Sequence, residues 1–187
     1  MEILTKRLCL REFVPGDVTA VFTYQNDPRY LRYYAWTKRS EKDVRQFLQM
    51  FLEAQEETPR RKYQLAVTLR NNNKLIGNCG IRRQTAVDHE ANIGYELDPE
   101  HWGKGYATEA ARAIIHFGFE QLQIHRIWAD VVTENSGSIN VLEKLGMKRE
   151  GRLRENQWMK GRWWDTYIYA ILEQEWQEIK QSYPGKS

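Results

Sequence analysis

A chain of 187 residues, 41% hydrophobic and 28% charged, fits one globular domain (1–187) with apolar material for a full core. No run approaches the roughly 18 consecutive apolar residues of a membrane span, and "MEILTKRLCLREF" (1–13) lacks the apolar centre of a signal peptide, so a cytoplasmic protein with no membrane partner is expected. The net charge of +3 is spread over "PRRK", "RR" and "KREGRLR", so direct nucleic-acid contact is not expected either. Cys9 and Cys79 read as free thiols in strands, and the four histidines show no ligand spacing, so no metal is expected.

In chain order, the alternation of "LCLREF" (8–13) predicts a strand. Pro15, Gly16 and Asp17 then open a helix with Val18, Val21 and Phe22 on one face. Ser40 and Asp43 read as a capping box before a second helix, on which Val44, Phe47, Leu48, Phe51 and Leu52 keep helical spacing. "YLRYYAW" (30–36) connects the two. "YQLAVTL" (63–69), "LIGNCGI" (75–81) and "ANIGYEL" (91–97) predict an antiparallel meander, with "RNNNK" as its first turn. A helix from Ala107 to about Leu122, the buried strand "RIWADVV" (126–132) and a helix from about Gly137 to Gly146 follow. "MKREGRLREN" and "DTYIYAIL" read as a hairpin around "WMKGRWW" (158–164). A polar helix, Glu173 to Gln181, closes a core of about 8–175 and ends before Pro184, within a C-terminal helix and tail of 173–187.

"HWGKGYATEA" (101–110) stands between a strand and a helix, so Gly103 to Thr108 fall where backbone N–H groups lack intrahelical partners. Such a turn suits a phosphate. Gly103 and Gly105 remove Cβ atoms that would hold an anion away, and Ala107 is small enough to let it settle on the first turn. The third glycine of G-x-G-x-x-G is absent, Thr108 standing in its place, and G-x-x-x-x-G-K-[ST] occurs nowhere.

"IGYELDPEHWGKGYATEA", followed after a strand by "NSGSINVLEKLGM", resembles the GNAT superfamily of acetyl-CoA-dependent N-acetyltransferases. The wording is most similar to the branch of ribosomal-protein N-terminal (RimJ/RimL-like) acetyltransferases, and "YAILEQEW" fits that branch too. The resemblance implies an α/β (α+β) GNAT fold: a mixed, mostly antiparallel seven-stranded sheet whose parallel fourth and fifth strands splay apart, with flanking helices. It implies acetyl-CoA as co-substrate. The pyrophosphate would lie on Trp102, Gly103, Lys104, Gly105, Tyr106, Ala107 and Thr108, with Trp102 standing where the family has Gln or Arg. The pantetheine arm would meet backbone around Glu96, Leu97 and Asp98, with Asn135 and Ser138 across the gap. Turn and helix-cap chemistry alone would also account for Asn135 and Ser138.

An amine attacking a thioester needs a proton acceptor, and the departing sulfur needs a donor. Glu96, on the strand face shared with Asn92 and Gly94, is the expected acceptor; the alternative is a solvated edge carboxylate. Many relatives carry glutamate where this chain has Asn92, and some of the ribosomal branch carry one at Gln157, here with Glu155 two residues earlier. The tyrosine acid of many GNAT enzymes is replaced by Leu142, and the resemblance gives the donor role to Ser138. Tyr33, Trp36, Trp158 and Trp164 would flank the acceptor slot or pack as core and dimer contacts. The expected activity is direct acetyl transfer to a primary amine, a protein N-terminal α-amine first. The alternatives are a small amine (antibiotic, polyamine or metabolite) and a non-catalytic acyl-CoA-binding or RNA-associated module. Monomer and homodimer both stay open.

Overall fold

Eight strands make one mixed sheet in the computed structural model, which describes residues 1–182. They are β1 (Glu2–Leu4), β2 (Leu8–Glu12), β3 (Lys62–Leu69), β4 (Leu75–Arg82), β5 (Glu90–Leu97), β6 (Arg126–Val132), β7 (Lys148–Met159) and β8 (Arg162–Leu172), ordered β1-β2-β3-β4-β5-β6-β8-β7. The helices are α1 (Val18–Gln25), α2 (Pro28–Leu31), α3 (Glu41–Gln55), α4 (Tyr106–Glu120), α5 (Ser136–Lys144) and α6 (Glu173–Ser182). The seven-strand expectation is corrected to eight. The added strand, β1, has only three residues and pairs solely with β2, too short to leave a period in the sequence. Pro184 and the rest of the expected tail lie outside the described residues.

Capping chemistry set α3 where the sequence predicted it: Ser40 Oγ accepts from the Asp43 N–H (3.2 Å) and Asp43 Oδ2 from the Ser40 N–H (2.8 Å). Its Val44 and Leu48 bury against Ala66 of β3 and Val21 of α1, making one core layer. The opposite face of the sheet carries the larger core, in which Ala110, Ile114 and Ile115 of α4 meet Cys79, Ile81 and Ile93. α2 and the tight hairpin turn were not resolved by the sequence. β7 runs on to Met159 and β8 begins at Arg162, leaving Lys160 and Gly161 as a two-residue turn, both with positive φ (52° and 76°).

Among the described residues β5 and β6 are the only parallel neighbours, and their pairing ends at Asn92↔Trp128. Beyond that point β5 stays with β4 as far as Gly77↔Leu97, while β6 stays with β8 as far as Val132↔Thr166. The strands therefore part. The Asp98 N–H reaches back to the Ile76 carbonyl (2.8 Å), so by antiparallel alternation Ile93, Tyr95 and Leu97 turn their backbone groups away from β4 and into the gap.

Candidate active site

A cavity of about 890 Å³ fills the gap, within the range of sites that hold a small-molecule ligand. One end is the glycine turn, the middle is the parted strands with the start of α5, and the far end is closed by α2 and the β7–β8 hairpin. Lys160 Nζ ties the hairpin to the Leu31 carbonyl (2.6 Å), and the Tyr33 hydroxyl donates to the Glu134 carbonyl (2.9 Å), so this far wall is braced from both sides.

At the turn, Gly103 (φ 73°) and Gly105 (φ 79°) are left-handed, and Gly105 is the N-cap of α4. Protein atoms do not crowd either one: a Cβ on Gly103 would meet nothing within 4 Å, and one on Gly105 would reach only Arg7 Nη2 at 3.5 Å. Backbone conformation is thus the protein's own requirement for glycine at both positions. Two left-handed glycines on either side of Lys104, followed by the open N–H groups of Tyr106, Ala107 and Thr108, form a concave set of donors that fits the diphosphate bridge of a nucleotide-type donor.

The sequence-predicted residues divide by position. Glu96, Leu97, Trp102, Gly103, Gly105, Tyr106, Ala107, Thr108, Asn135, Ser138 and Tyr33 line the cavity. Asp98 and Lys104 do not: the Asp98 carboxylate caps the turn at Glu100 (3.0 Å), and Lys104 Nζ folds onto the Glu100 carbonyl (2.9 Å). The Trp102 indole donates to the Leu97 carbonyl (2.9 Å), occupying a group expected to meet the pantetheine arm. Trp36 stacks on Tyr34 under Arg39, Trp158 sits exposed against Trp163, and Trp164 is buried behind Tyr33 with its Nε1 on the Met159 carbonyl. None of these three indoles reaches the cavity. Trp158 and Trp164 are separated by the strand alternation, which sends them to opposite faces of the hairpin.

Glu96 is no solvated edge carboxylate. Its Oε1 accepts from Tyr24 (2.7 Å), Gln25 (2.8 Å) and Asn78 (2.6 Å), and its Oε2 from Tyr30 (2.5 Å) and Tyr34 (3.3 Å). Burial first, and the Glu96 charge second, push all three phenols far above the ordinary tyrosine value, so they remain protonated donors. Behind Asn78 the chain of bonds continues through Gln64 Nε2 (2.6 Å to Asn78 Oδ1) to Arg82 Nη1 (3.3 Å to Gln64 Oε1). Burial lowers the pKa of this guanidinium, which lies over Gly94 so closely that a Cβ there would stand 2.4 Å from it.

Across the cavity, Asn135 Oδ1 caps α5 by accepting from the Ser138 N–H (3.1 Å). The Ser138 hydroxyl is 2.9 Å from the Tyr95 hydroxyl, which also reaches the Ser138 carbonyl (3.1 Å). Tyr95 is therefore a cavity residue that the sequence reading did not single out within "ANIGYEL", and burial pushes its phenol up, offset only in part by Ser138. Asn92 reaches the Trp128 carbonyl at 3.5 Å, at the last rung of the β5–β6 ladder. Gln157 lines the far end, while Glu155 stands exposed with its N–H on Asp165 (2.7 Å). Cys79 is buried, with its thiol raised to about 12, which removes it as a nucleophile. Among the described residues no group of His, Cys, Asp and Glu could hold a metal ion, and no helix is long and apolar enough to cross a membrane.

The chain is similar to known acetyltransferases. The N-acetyltransferase YnaD of Bacillus subtilis is 37% identical over 176 residues, 94% of this chain and 99% of its own. A Bacillus anthracis acetyltransferase of the GNAT family, solved by crystallography, superposes with a TM-score of 0.81 at 34% identity, covering 93% of this chain and 99% of that one. More distant matches include the ribosomal protein uS5-alanine N-acetyltransferase of Escherichia coli (31% over 47% of this chain and 45% of its own) and the spermidine N(1)-acetyltransferase of Vibrio cholerae (23% over 91% and 95%). Residues 7–148 match the acetyltransferase (GNAT) domain; the chain belongs to that family and is an N-acetyltransferase.

Proposed function

We propose that the chain transfers the acetyl group of acetyl-CoA directly to a primary amine, and that its preferred acceptor is the α-amine at the end of a peptide chain. The observation that carries this reading is that Glu96 and the Tyr95–Ser138 pair line one cavity together with the glycine turn, Glu96 and Tyr95 as neighbours on β5 and Ser138 at the start of α5. The donor's diphosphate would rest on Gly103–Thr108, and its arm would pair, as an added strand does, with the part of the β5 edge that β6 leaves open before the Leu97 carbonyl held by Trp102. The amine enters from the α2 end. As it attacks the thioester carbon, its proton passes to Glu96, either directly or through the phenol of Tyr30 or Tyr34, which gives up its own proton as it takes one. The carbon–sulfur bond breaks, and the sulfur takes a proton from Ser138, whose hydroxyl Tyr95 holds in place; Ser138 regains a proton from solvent, to which Glu96 releases the one it took from the amine.

Two features favour an α-amine. Deprotonating a lysine side chain (pKa about 10.4) at neutral pH costs about 3–4 kcal/mol more than deprotonating an α-amine at about 7.7–8.0. The cavity is also poorly made for a polycation: Arg29, Arg32 and Lys144 line it against only two carboxylates, and one of those, Glu96, already accepts five hydrogen bonds. The experiment offers acetyl-CoA with peptides whose α-amine is free and lysines blocked, with the reverse set, and with spermidine, followed by mass spectrometry. Acetylation of the first set alone is expected. Acetylated spermidine beside unmodified peptides would move the acceptor to small amines, and an absence of thioester consumption with every amine would leave only acyl-CoA binding.

A further inference from the structure

Between β1 and β2 the chain makes a corner at Thr5–Arg7 that closes onto the glycine turn without lining the cavity. Glu109, in the first turn of α4, accepts from the Thr5 hydroxyl (2.7 Å) and the Arg7 N–H (2.8 Å) on Oε1, and from Arg7 Nε (2.6 Å) on Oε2. Arg7 Nη1 donates to the Lys104 carbonyl (2.9 Å), and its guanidinium carbon lies 4.4 Å from the centre of the Tyr106 ring. Arg7 does not line the cavity, so it acts on a ligand only through these neighbours.

The Lys104–Gly105 peptide is the one that matters. In a planar trans peptide the C=O and N–H leave from opposite edges, so whatever holds the Lys104 carbonyl also aims the Gly105 N–H. Gly105, left-handed and without a Cβ, borders that plane on one side, so the plane is free to turn over. A flipped peptide would present a carbonyl oxygen where an anion should sit.

We propose that Arg7 is a positioning residue for the donor: it locks the Lys104 carbonyl outward, so that the Gly105 N–H faces the cavity and receives the diphosphate bridge. The fork of the guanidinium lets one side chain do this while it neutralises Glu109, a carboxylate that would otherwise repel the same anion from the first turn of α4. The inference rests on the acetyl-CoA reading of the cavity.

The test is calorimetric binding of acetyl-CoA, 3′-dephospho-CoA and pantetheine to the wild type, Arg7→Ala and Arg7→Lys. Arg7→Ala should weaken the two diphosphate-containing ligands about tenfold each, or about 1.4 kcal/mol, and leave pantetheine within about twofold. Arg7→Lys, which keeps the charge but not the fork, should show most of the same loss and carries the test if the alanine variant is poorly folded. Equal weakening of pantetheine would make Arg7 a general structural residue and overturn the proposal. Unchanged acetyl-CoA affinity would overturn it too, as would a loss confined to acetyl-CoA, which would mean direct contact with the 3′-phosphate. A wild type that binds none of the three would instead overturn the function on which the proposal depends.

Discussion

Glu96 gathers donors from three separate pieces of chain: Tyr24 and Gln25 on α1, Tyr30 and Tyr34 in and after α2, and Asn78 on β4. Its position on a strand was legible, because period-two alternation fixes which face a residue takes. Its tyrosines were not. They lie 62 to 72 positions away in sequence, and "YLRYYAW" alone does not reveal that two of its rings end on one carboxylate. Glu96→Gln should lower kcat by about 10²- to 10⁴-fold with acetyl-CoA affinity retained; full turnover would pass the acceptor role to water. Tyr95 escaped notice for the opposite reason, since a tyrosine within a buried strand reads as packing. If Tyr95 orients Ser138, Tyr95→Phe and Ser138→Ala should each slow turnover, and the double variant should be little worse than Ser138→Ala. Additive losses in that cycle would show two independent roles.

Helices and turns follow the sequence closely where local chemistry decides them. The α3 capping box and the start of α4 at the glycine turn are both set by residues adjacent in the chain. The aromatic hairpin was harder, because strand alternation around a turn of unknown length can point each indole either way. Gly105→Ala puts a Cβ on a left-handed residue, and should cost about 1–2 kcal/mol of stability in a denaturant titration, even though space exists for the methyl group. Gly118 of α4 is constrained by packing instead: a Cβ there would stand 2.6 Å from Ile81 Cδ1 and 2.8 Å from Ile127 Cδ1. Gly118→Val should therefore destabilise by about 1–3 kcal/mol, the scale of overpacking in a filled core. The corner that holds the glycine turn also has a pH signature. Burial alone would raise the pKa of Glu109, but hydrogen bonds from Thr5 and Arg7 outweigh it and lower it below the ordinary 4.5. Their contribution is complete above pH 4.5 and fades as the pH falls through the lowered folded value, because the unfolded chain protonates first. Arg7→Ala should flatten that acid loss, measured as Tm against pH; an unchanged slope would mean that Glu109 is not coupled to Arg7.

At the scale of the molecule, the site exists because two strands pair for three residues and then part. The β-α-β-α order around the parting was readable from "ANIGYEL" to "EKLGM", and the GNAT resemblance implied that its two strands run parallel. The parting was implied only by the GNAT resemblance and not by the residue pattern, since it depends on which neighbour each strand keeps: β4 for one and β8 for the other. The cavity that results ends at the α2 wall, and its occupancy by acetyl-CoA is the claim on which the proposed chemistry depends. Calorimetric titration of the wild type with acetyl-CoA measures it directly. The account predicts one site per chain, together with a rise in unfolding free energy of about 2.7 kcal/mol when free acetyl-CoA is at 100 times its Kd. No heat of binding and no stabilisation at millimolar acetyl-CoA would contradict it.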